Sequence, residues 1–315
     1  MKSLRHIRVF AVSAAIAACL TGCSQQIAAR DRPTSISGPM DKATAMRLFA
    51  PDASFSSGPA AEQHAELFLP KGKGPFPVLM FLHGGCWHSQ EGSVEDVRPT
   101  MSILADHGIA VWNIGYRLLD QPGGGYPGTY QDIEAATRLL AKNARHYHLD
   151  LSRVVLSGHS AGAELAMWAA GRANIPASSP IGGEPAVKPR ALVAISGPGD
   201  LKPLGPAMDQ LCGENTYATL TGPASAARPD PLADTNPASL LPFHMPVTLL
   251  TGDKDNVVPS MFVEAFAKEA KAAGNKVTLT VIPGATHVAP VWPSDPAFKV
   301  TMKAILDAAG VPAAP

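Results

Sequence analysis

The sequence has no excess of charge of either sign, since its 315 residues include 26 basic and 26 acidic side chains. A chain without a net positive charge has no bulk attraction for nucleic acid, and we expect no such partner. Internal repeats are also not evident. The ten histidines include no pair with the spacing of a metal site, and we predict neither a metal nor another cofactor. With 46% hydrophobic residues, the chain can bury one large core, which indicates a single folded domain.

The amino-terminal apolar run, residues 9–20, is too short to span a membrane. Three basic residues precede it, which is the pattern of a secretory signal peptide. The run ends in Leu20-Thr21-Gly22-Cys23, which resembles the lipobox of bacterial lipoproteins, so we predict a signal peptide over residues 1–22 and a lipid anchor on Cys23. An ordinary signal peptide cleaved nearby is the alternative. The residue after Cys23 is Ser24 and not aspartate, which resembles the sorting signal for the outer membrane. We therefore expect the protein in the bacterial cell envelope, on the periplasmic side of the outer membrane.

Residues 23–60 are rich in serine, alanine, aspartate and proline and show weak periodicity. This composition predicts a linker from the lipid to the folded domain, with a short helix near Lys42 to Phe49. The folded domain is then predicted over residues 61–312.

Cysteine is scarce, with four residues in the chain. Cys19 leaves with the signal peptide and Cys23 carries the lipid, so Cys86 and Cys212 remain. An oxidising compartment permits a disulfide between them, but they lie far apart in the sequence and Cys86 falls in a loop with another expected role. We therefore favour two unpaired cysteines, with the bridge as the alternative.

An apolar strand over residues 154–157 runs into Gly158-His159-Ser160-Ala161-Gly162 and then into an alanine-rich, helix-forming stretch. A strand, a sharp turn and a helix with serine at the apex form a nucleophile elbow. Side chains at either glycine would collide with the neighbouring strand and helix. The pattern predicts that Ser160 stands above the sheet as a nucleophile, and an ordinary loop serine is the alternative.

A second apolar strand, residues 76–82, leads into His83-Gly84-Gly85-Cys86-Trp87. Two adjacent glycines allow backbone amides to turn inward, which has the form of an oxyanion loop. The amides near Gly85 and Cys86, together with that of Ala161, are expected to meet a developing oxyanion. A simple tight turn is the alternative. The side chains that we expect to line the substrate site are Trp87 and His159.

Two later strands each end before a candidate catalytic residue. Residues 247–252 precede Asp253 and Asp255, and residues 277–282 precede a loop with His287. We favour Asp255 as the acid because the chain is still leaving the sheet at Asp253, which would instead cap the next helix or face solvent. A hydroxyl is a poor nucleophile near neutral pH until an imidazole takes its proton, and a carboxylate orients that imidazole.

Strands alternate with amphipathic helices in the middle of the chain. A strand at residues 109–115 is followed by a glycine-rich loop and by a helix from about Tyr130 to Asn143 with one apolar face. This alternation predicts an α/β fold with a doubly wound, mostly parallel sheet and helices on both faces. Asp132 is interpreted as favouring the helix dipole. The proline-rich, irregular residues 197–245 predict a small cap.

These motifs resemble those of the α/β-hydrolases of the esterase and kynurenine formamidase type, the BD-FAE-like group. The resemblance covers roughly residues 61–312 and rests on residues 83–87, 113–118, 126–132 and 158–163. It implies the α/β-hydrolase fold, with catalytic roles for Ser160, Asp255 and His287 and an oxyanion hole at Gly84, Gly85 and Ala161. The chain departs from the family pattern at two positions. Family members often have another residue in place of Cys86, and they frequently have histidine or asparagine in place of Glu164. Both departures concern the identity of the substrate more than the reaction.

The sequence therefore predicts a secreted, lipid-anchored serine hydrolase. It would cleave a carboxylic ester of a small or medium acyl group through an acyl-enzyme, with a small-molecule ester as its substrate and the membrane as its partner through Cys23. A kynurenine formamidase-like amidase is the nearest alternative. A non-catalytic α/β-hydrolase scaffold that serves as an envelope binding protein is the alternative from another class.

Overall fold

The structure, a computed structural model, describes residues 29–33 and 42–312. The predicted signal peptide over residues 1–22 and the predicted lipidation site Cys23 lie outside the described residues. Among the helices of the described segments, none combines the length and the apolar character that crossing a membrane requires.

Eight strands in the described part of the chain form one sheet in the order β1-β2-β4-β3-β5-β6-β7-β8. Their bounds are β1 (Ala53–Ser56), β2 (His64–Phe68), β3 (Phe76–Leu82), β4 (Ala110–Ile114), β5 (Leu149–His159), β6 (Ala191–Ile195), β7 (Val247–Gly252) and β8 (Val277–Ile282). The pairs β1–β2 and β2–β4 are antiparallel, and all pairs from β4 to β8 are parallel.

Helices cover both faces of this sheet. Their bounds in the described residues are α1 (Lys42–Leu48), α2 (Arg98–Asp106), α3 (Gly128–Asn143), α4 (Ala161–Ala170), α5 (Gly205–Cys212), α6 (Thr216–Thr221), α7 (Leu232–Thr235), α8 (Ser260–Ala272) and α9 (Phe298–Ala309). Alternate residues of β3 belong to different core clusters: Met80 and Leu82 pack with α3, α4 and α8, whereas Leu79 and Phe81 pack with α2 and α9. The predicted doubly wound α/β-hydrolase architecture is confirmed.

The predicted boundary between linker and domain at residue 60 is wrong. Residues 53–56 form the edge strand β1, which pairs with β2 in antiparallel register. Asp52 is buried just before β1, where it accepts hydrogen bonds from the backbone N–H of Leu69 and Arg30 and pairs with Arg32. The domain therefore includes part of the segment that we interpreted as linker, and α1 confirms the short helix expected near residue 42.

The parallel register places the carboxyl ends of β3, β5, β7 and β8 at one edge of the sheet. The loops that follow these strands carry the oxyanion loop, Ser160, Asp255 and His287. In open α/β sheets, ligands bind at this edge. Residues that lie far apart along the chain are thus brought together at the carboxyl edge of the sheet.

Candidate active site

Ser160 occupies a sharp turn between the end of β5 and the start of α4. Its backbone has φ 54° and ψ −122°, a conformation that a side-chain-bearing residue adopts only when its surroundings enforce it. The two flanking glycines allow this turn. A Cβ on Gly158 would lie 2.1 Å from the carbonyl oxygen of Gly162, and one on Gly162 would lie 2.1 Å from that of Leu82.

The structure brings together the three residues that the sequence predicts as a triad. The Ser160 hydroxyl lies 2.9 Å from Nε2 of His287, and Nδ1 of His287 lies 2.8 Å from Oδ2 of Asp255. A carboxylate beside Nδ1 favours the tautomer that carries its proton there, so Nε2 is left to accept the hydroxyl proton of Ser160.

The two candidate aspartates have different partners. Burial opposes charge on Asp255, but hydrogen bonding and electrostatic attraction from His287, with the amides of Val258 and Val257, outweigh it and hold the pKa of Asp255 below its usual value. Asp253 instead accepts a hydrogen bond of 2.7 Å from the backbone N–H of Gly284. The geometry therefore places the carboxylate of Asp255, and not that of Asp253, against the imidazole.

The oxyanion loop packs directly against the elbow. A Cβ on Gly84 would lie 3.0 Å from the carbonyl oxygen of His159 and 3.2 Å from Cβ of Ser160, closer than most side-chain carbons approach, so glycine favours this packing. Gly85 has φ 116° and Cys86 has φ 50°, which turns the backbone between them. Within the described part of the chain, the amides of Gly85, Cys86 and Ala161 donate no hydrogen bond. All three donors are therefore available to a ligand oxygen near Ser160.

Comparisons with known proteins agree with this geometry. The family model BD-FAE matches residues 65–269, a region that includes Ser160 and Asp255 and ends before His287. The chain belongs to the BD-FAE family.

Two curated proteins of Mycobacterium tuberculosis (strain ATCC 25618 / H37Rv) are similar in sequence. Esterase LipI is 32% identical over 105 residues, 33% of this chain and 32% of LipI, and esterase LipQ is 27% identical over 219 residues, 67% of this chain and 50% of LipQ. The chain thus spans about a third and about half of the length of these relatives. A truncated form of a carbohydrate esterase from gut microbiota has the same fold, with a TM-score of 0.65 and 21% identity over 82% of this chain and 96% of that one.

Cys86 and Cys212 form a disulfide in this BD-FAE domain, so the expectation of two unpaired cysteines is wrong. Cys86 lies in the oxyanion loop, and Cys212 is the last residue of α5 in the cap. The sequence could not show this proximity because the position of α5 depends on the path of the proline-rich segment before β7. The bridge links two elements that both border Ser160.

Two spaces open beside Ser160. The first is a narrow, mainly apolar pocket between the elbow and the cap. Its lining residues are Cys86, Trp87, Ser160, Ala161, Pro198, Leu204, Met208, Leu211, Cys212, Val257 and Val258. Trp87, which we predicted to line the substrate site, borders this pocket. The cap residues were not predicted, because the irregular cap sequence shows no periodicity that assigns its inward face.

The second space is an open groove that adjoins the pocket and shares Cys86, Ser160, Leu211 and Val257 with it. It includes the predicted lining residue His159, the carboxylates of Glu91 and Asp96, and the exposed apolar side chains of Val288 and Trp292, the last of which is 46% exposed. The groove is wider and more polar than the pocket. The site can therefore receive two unlike parts of one molecule.

Two buried histidines support these loops in their neutral form. Desolvation, and secondarily repulsion by His287, lowers the pKa of His159 to about 3, and its Nε2 donates to the backbone carbonyl of His287. Burial likewise lowers the pKa of His83 to about 4, while its ring stacks on Tyr116 and its Nδ1 bonds the carbonyl of Gly84. Both imidazoles thus hold backbone groups of the site in place.

Glu164 is a buried acid one helical turn after Ser160. Its side chain is fully buried, and neither carboxyl oxygen has a hydrogen-bond partner in the described structure. The indole N–H of Trp87 also lacks one, and it is close enough to interact with Glu164. Burial raises the pKa of Glu164 well above its usual value, which favours a protonated carboxyl behind the oxyanion loop.

One group of potential metal ligands lies away from the triad in the described residues: His64, Glu66 and Glu95. The guanidinium of Arg98 pairs with Glu66, whose other carboxyl oxygen accepts 3.1 Å from Asn113. The arginine already supplies positive charge to this cluster, so we interpret the cluster as an ion-pair network beside β2.

Proposed function

We propose that this protein is a serine esterase that cleaves carboxylic esters of short acyl groups through an acyl-enzyme. The observation that carries the proposal is the hydrogen-bonded chain from Ser160 through His287 to Asp255, with three unpaired amides beside the hydroxyl. Membership of the BD-FAE family and similarity to proteins named esterase support the same reaction.

The reaction follows from the order of these groups. His287 takes the proton of Ser160 at Nε2 as the serine oxygen bonds to the ester carbonyl carbon, and Asp255 stabilises the resulting imidazolium. The carbonyl oxygen becomes an oxyanion that the amides of Gly85, Cys86 and Ala161 bind. The ester C–O bond then breaks, and His287 gives its proton to the departing alcohol.

Water completes the cycle by the same route. His287 takes a proton from water as the water oxygen attacks the acyl-enzyme carbonyl, and it returns that proton to Ser160 as the acid departs. Loss of a single oxyanion donor typically costs about 100- to 1000-fold in rate.

The two spaces beside Ser160 suggest which part of the ester lies where. The apolar pocket under the cap suits the acyl chain, and its size favours short chains. The open groove suits a larger, polar alcohol, for which the exposed ring of Trp292 offers a flat apolar surface. A carbohydrate is one such alcohol, and it is the substrate class named for the structural neighbour from gut microbiota.

We also propose that the protein works outside the cytoplasm, anchored by a lipid on Cys23 at the periplasmic side of the outer membrane. The signal-like amino terminus supports export, and a disulfide is stable in an oxidising compartment. Replacing Cys23 by serine should release the protein from the detergent phase in a Triton X-114 partition. Retention of the variant in the detergent phase would contradict the lipid anchor.

The proposed activity is tested with the full chain in detergent and a series of p-nitrophenyl esters from acetyl to palmitoyl. We expect hydrolysis of the short esters and its loss in Ser160→Ala, together with loss of labelling by a fluorophosphonate. Labelling of the wild type without ester hydrolysis would move the assignment to the amidase alternative. Absence of both would leave the non-catalytic scaffold.

A further inference from the structure

The disulfide lies within the wall of the acyl pocket. Cys86 and Cys212 both border this pocket together with Ser160, so the bridge closes the space between the oxyanion loop and α5. Leu204, at the start of α5, and Met208 line the same wall and are nearly fully buried. The depth of the pocket therefore depends on where α5 lies relative to the oxyanion loop.

The neighbouring helix α6 is tied to the main domain by hydrogen bonds. The backbone N–H of Tyr126 donates to Thr219, and the hydroxyl of Tyr130 donates to Leu220. Helix α5 instead hydrogen-bonds to another part of the cap, because Asp209 in α5 accepts a hydrogen bond from the backbone N–H of Tyr217 in α6. The direct tie described between α5 and the oxyanion loop is the bridge to Cys86. An indirect link runs beside it, because His88 lies 3.0 Å from the hydroxyl of Thr216, which donates to the carbonyl of Gly213.

The oxyanion loop also needs support at the position where the bridge attaches. Cys86 and Trp87 have φ of 50° and 56°, and non-glycine residues in this region cost about 1–3 kcal/mol each unless their surroundings hold them. Trp87 is held by burial, with 3% of its surface exposed. Cys86 is half-buried and is held by its covalent partner.

We propose that the Cys86–Cys212 disulfide determines the acyl-chain length that the enzyme accepts, by fixing α5 against the oxyanion loop. With the bridge closed, the wall stops the chain after a few carbons. With the bridge open, α5 moves outward and the pocket admits a longer chain. This inference rests on the proposed esterase function and adds a specificity-determining pair of residues to it.

The test compares oxidised and reduced full-length protein in detergent. A phosphine reductant and one water molecule open the bridge: the phosphine takes the water oxygen and becomes the phosphine oxide, and the two sulfur atoms take the protons and become thiols. We expect the ratio of kcat/KM for p-nitrophenyl octanoate to that for the acetate to rise at least about tenfold, the discrimination expected from one or two methylene groups in an apolar pocket. A change in oxyanion binding affects both esters alike and cancels in this ratio.

The variant Cys86→Ala/Cys212→Ala is the matched control. It should show the raised ratio without reductant and no response to it. A ratio that stays within twofold across the oxidised, reduced and variant proteins would overturn the proposal. So would two free thiols in a thiol titration of the protein isolated from the envelope without reductant.

Hydrogen exchange gives a readout that does not need turnover. On reduction, amides of residues 207–213 should exchange at least about tenfold faster, while those of α3 keep their rates. If the exchange rates in α5 do not change on reduction, the disulfide does not hold α5 in place, even if the ratio of kcat/KM for the two esters changes. If no form hydrolyses any ester, the proposed esterase function fails, and the exchange result alone still decides whether the bridge holds α5.

Discussion

Replacing Glu164 by glutamine should stabilise the protein at neutral pH and leave its stability at pH 4 nearly unchanged. The carboxyl is fully buried with no cation beside it in the described structure, and burial raises its pKa well above the usual value although the nearby indole N–H of Trp87 lowers it. The folded state therefore keeps the proton, while the unfolded chain releases it above pH 4.5.

The sign and size of the effect follow from this difference in bound protons. Above pH 4.5 the folded state binds more protons than the unfolded state, so the stability of the wild type falls as pH rises. The slope is about 1.4 kcal/mol per pH unit for one group, which gives up to about 3 kcal/mol at pH 7 if Glu164 stays protonated there. Glutamine has nearly the same shape, does not ionise and removes this slope.

The assay is urea denaturation of wild type and Glu164→Gln at intervals from pH 4 to pH 8. The difference in free energy of unfolding should grow with pH, and taking the difference cancels contributions from other titrating groups. Glu264→Gln, on the exposed face of α8, is the control and should show no such trend. A difference that is independent of pH, or a destabilised variant at pH 7, would refute the argument that Glu164 is buried in its neutral form.

Three further predictions address the triad, a buried histidine and a buried ion pair. Asp255→Asn should lower kcat for p-nitrophenyl acetate by about 10⁴-fold and Asp253→Asn by less than about tenfold, and equal losses would contradict the geometry. Burial lowers the pKa of His159 to about 3, so below pH 6.5 the unfolded chain binds a proton that the folded state does not, and the wild type loses stability. Between pH 7 and pH 5, His159→Gln should lose roughly 2 kcal/mol less stability than the wild type, as measured by thermal melting. Equal shifts in the melting temperature of the two proteins would contradict this prediction. Asp132 accepts hydrogen bonds from Arg117 and from Gln63. Asp132→Asn should lower the free energy of unfolding, measured by chemical denaturation, by about 3 kcal/mol, whereas the exposed control Asp31→Asn should leave it unchanged. Equal stabilities of Asp132→Asn and the wild type would mean that the ion pair contributes little.

The residues of the triad could be predicted because each of them lies in the segment that begins where a strand ends. Ser160, Asp255 and His287 each lie in the first few residues after a strand, where the chain direction is set by local sequence. Parallel pairing then brings these strand ends to one edge, so the sequence reports the site without any knowledge of long-range contacts. The preference for Asp255 over Asp253 had the same local basis. The structure places Asp255 against His287 and leaves Asp253 exposed, where it accepts from the backbone N–H of Gly284 and does not cap α8.

What the sequence did not reveal depends on contacts between distant segments. Strand β1 has four residues, with Ala53 and Phe55 half-buried and Ser54 and Ser56 exposed, and this alternation is too short to separate a strand from a linker, so its place in the sheet is visible only through its register with β2. Asp132 was interpreted through the helix dipole, but α3 begins at Gly128 and Asp132 lies beyond its first turn, where it binds Arg117. The bridge from Cys86 likewise required the position of α5.

The cap lies within one continuous segment between β6 and β7, and this has a consequence for how the specificity of such an enzyme can change. Ser160, Asp255 and His287 lie outside that segment, so a relative's cap could be exchanged for this one without altering the chain that carries the nucleophile. The exception is Cys86, which belongs to the main domain and finds its partner in the cap. A transplanted cap would therefore need a cysteine at the end of α5 to keep the disulfide. We expect relatives that exchanged caps in this way to have either both cysteines or neither.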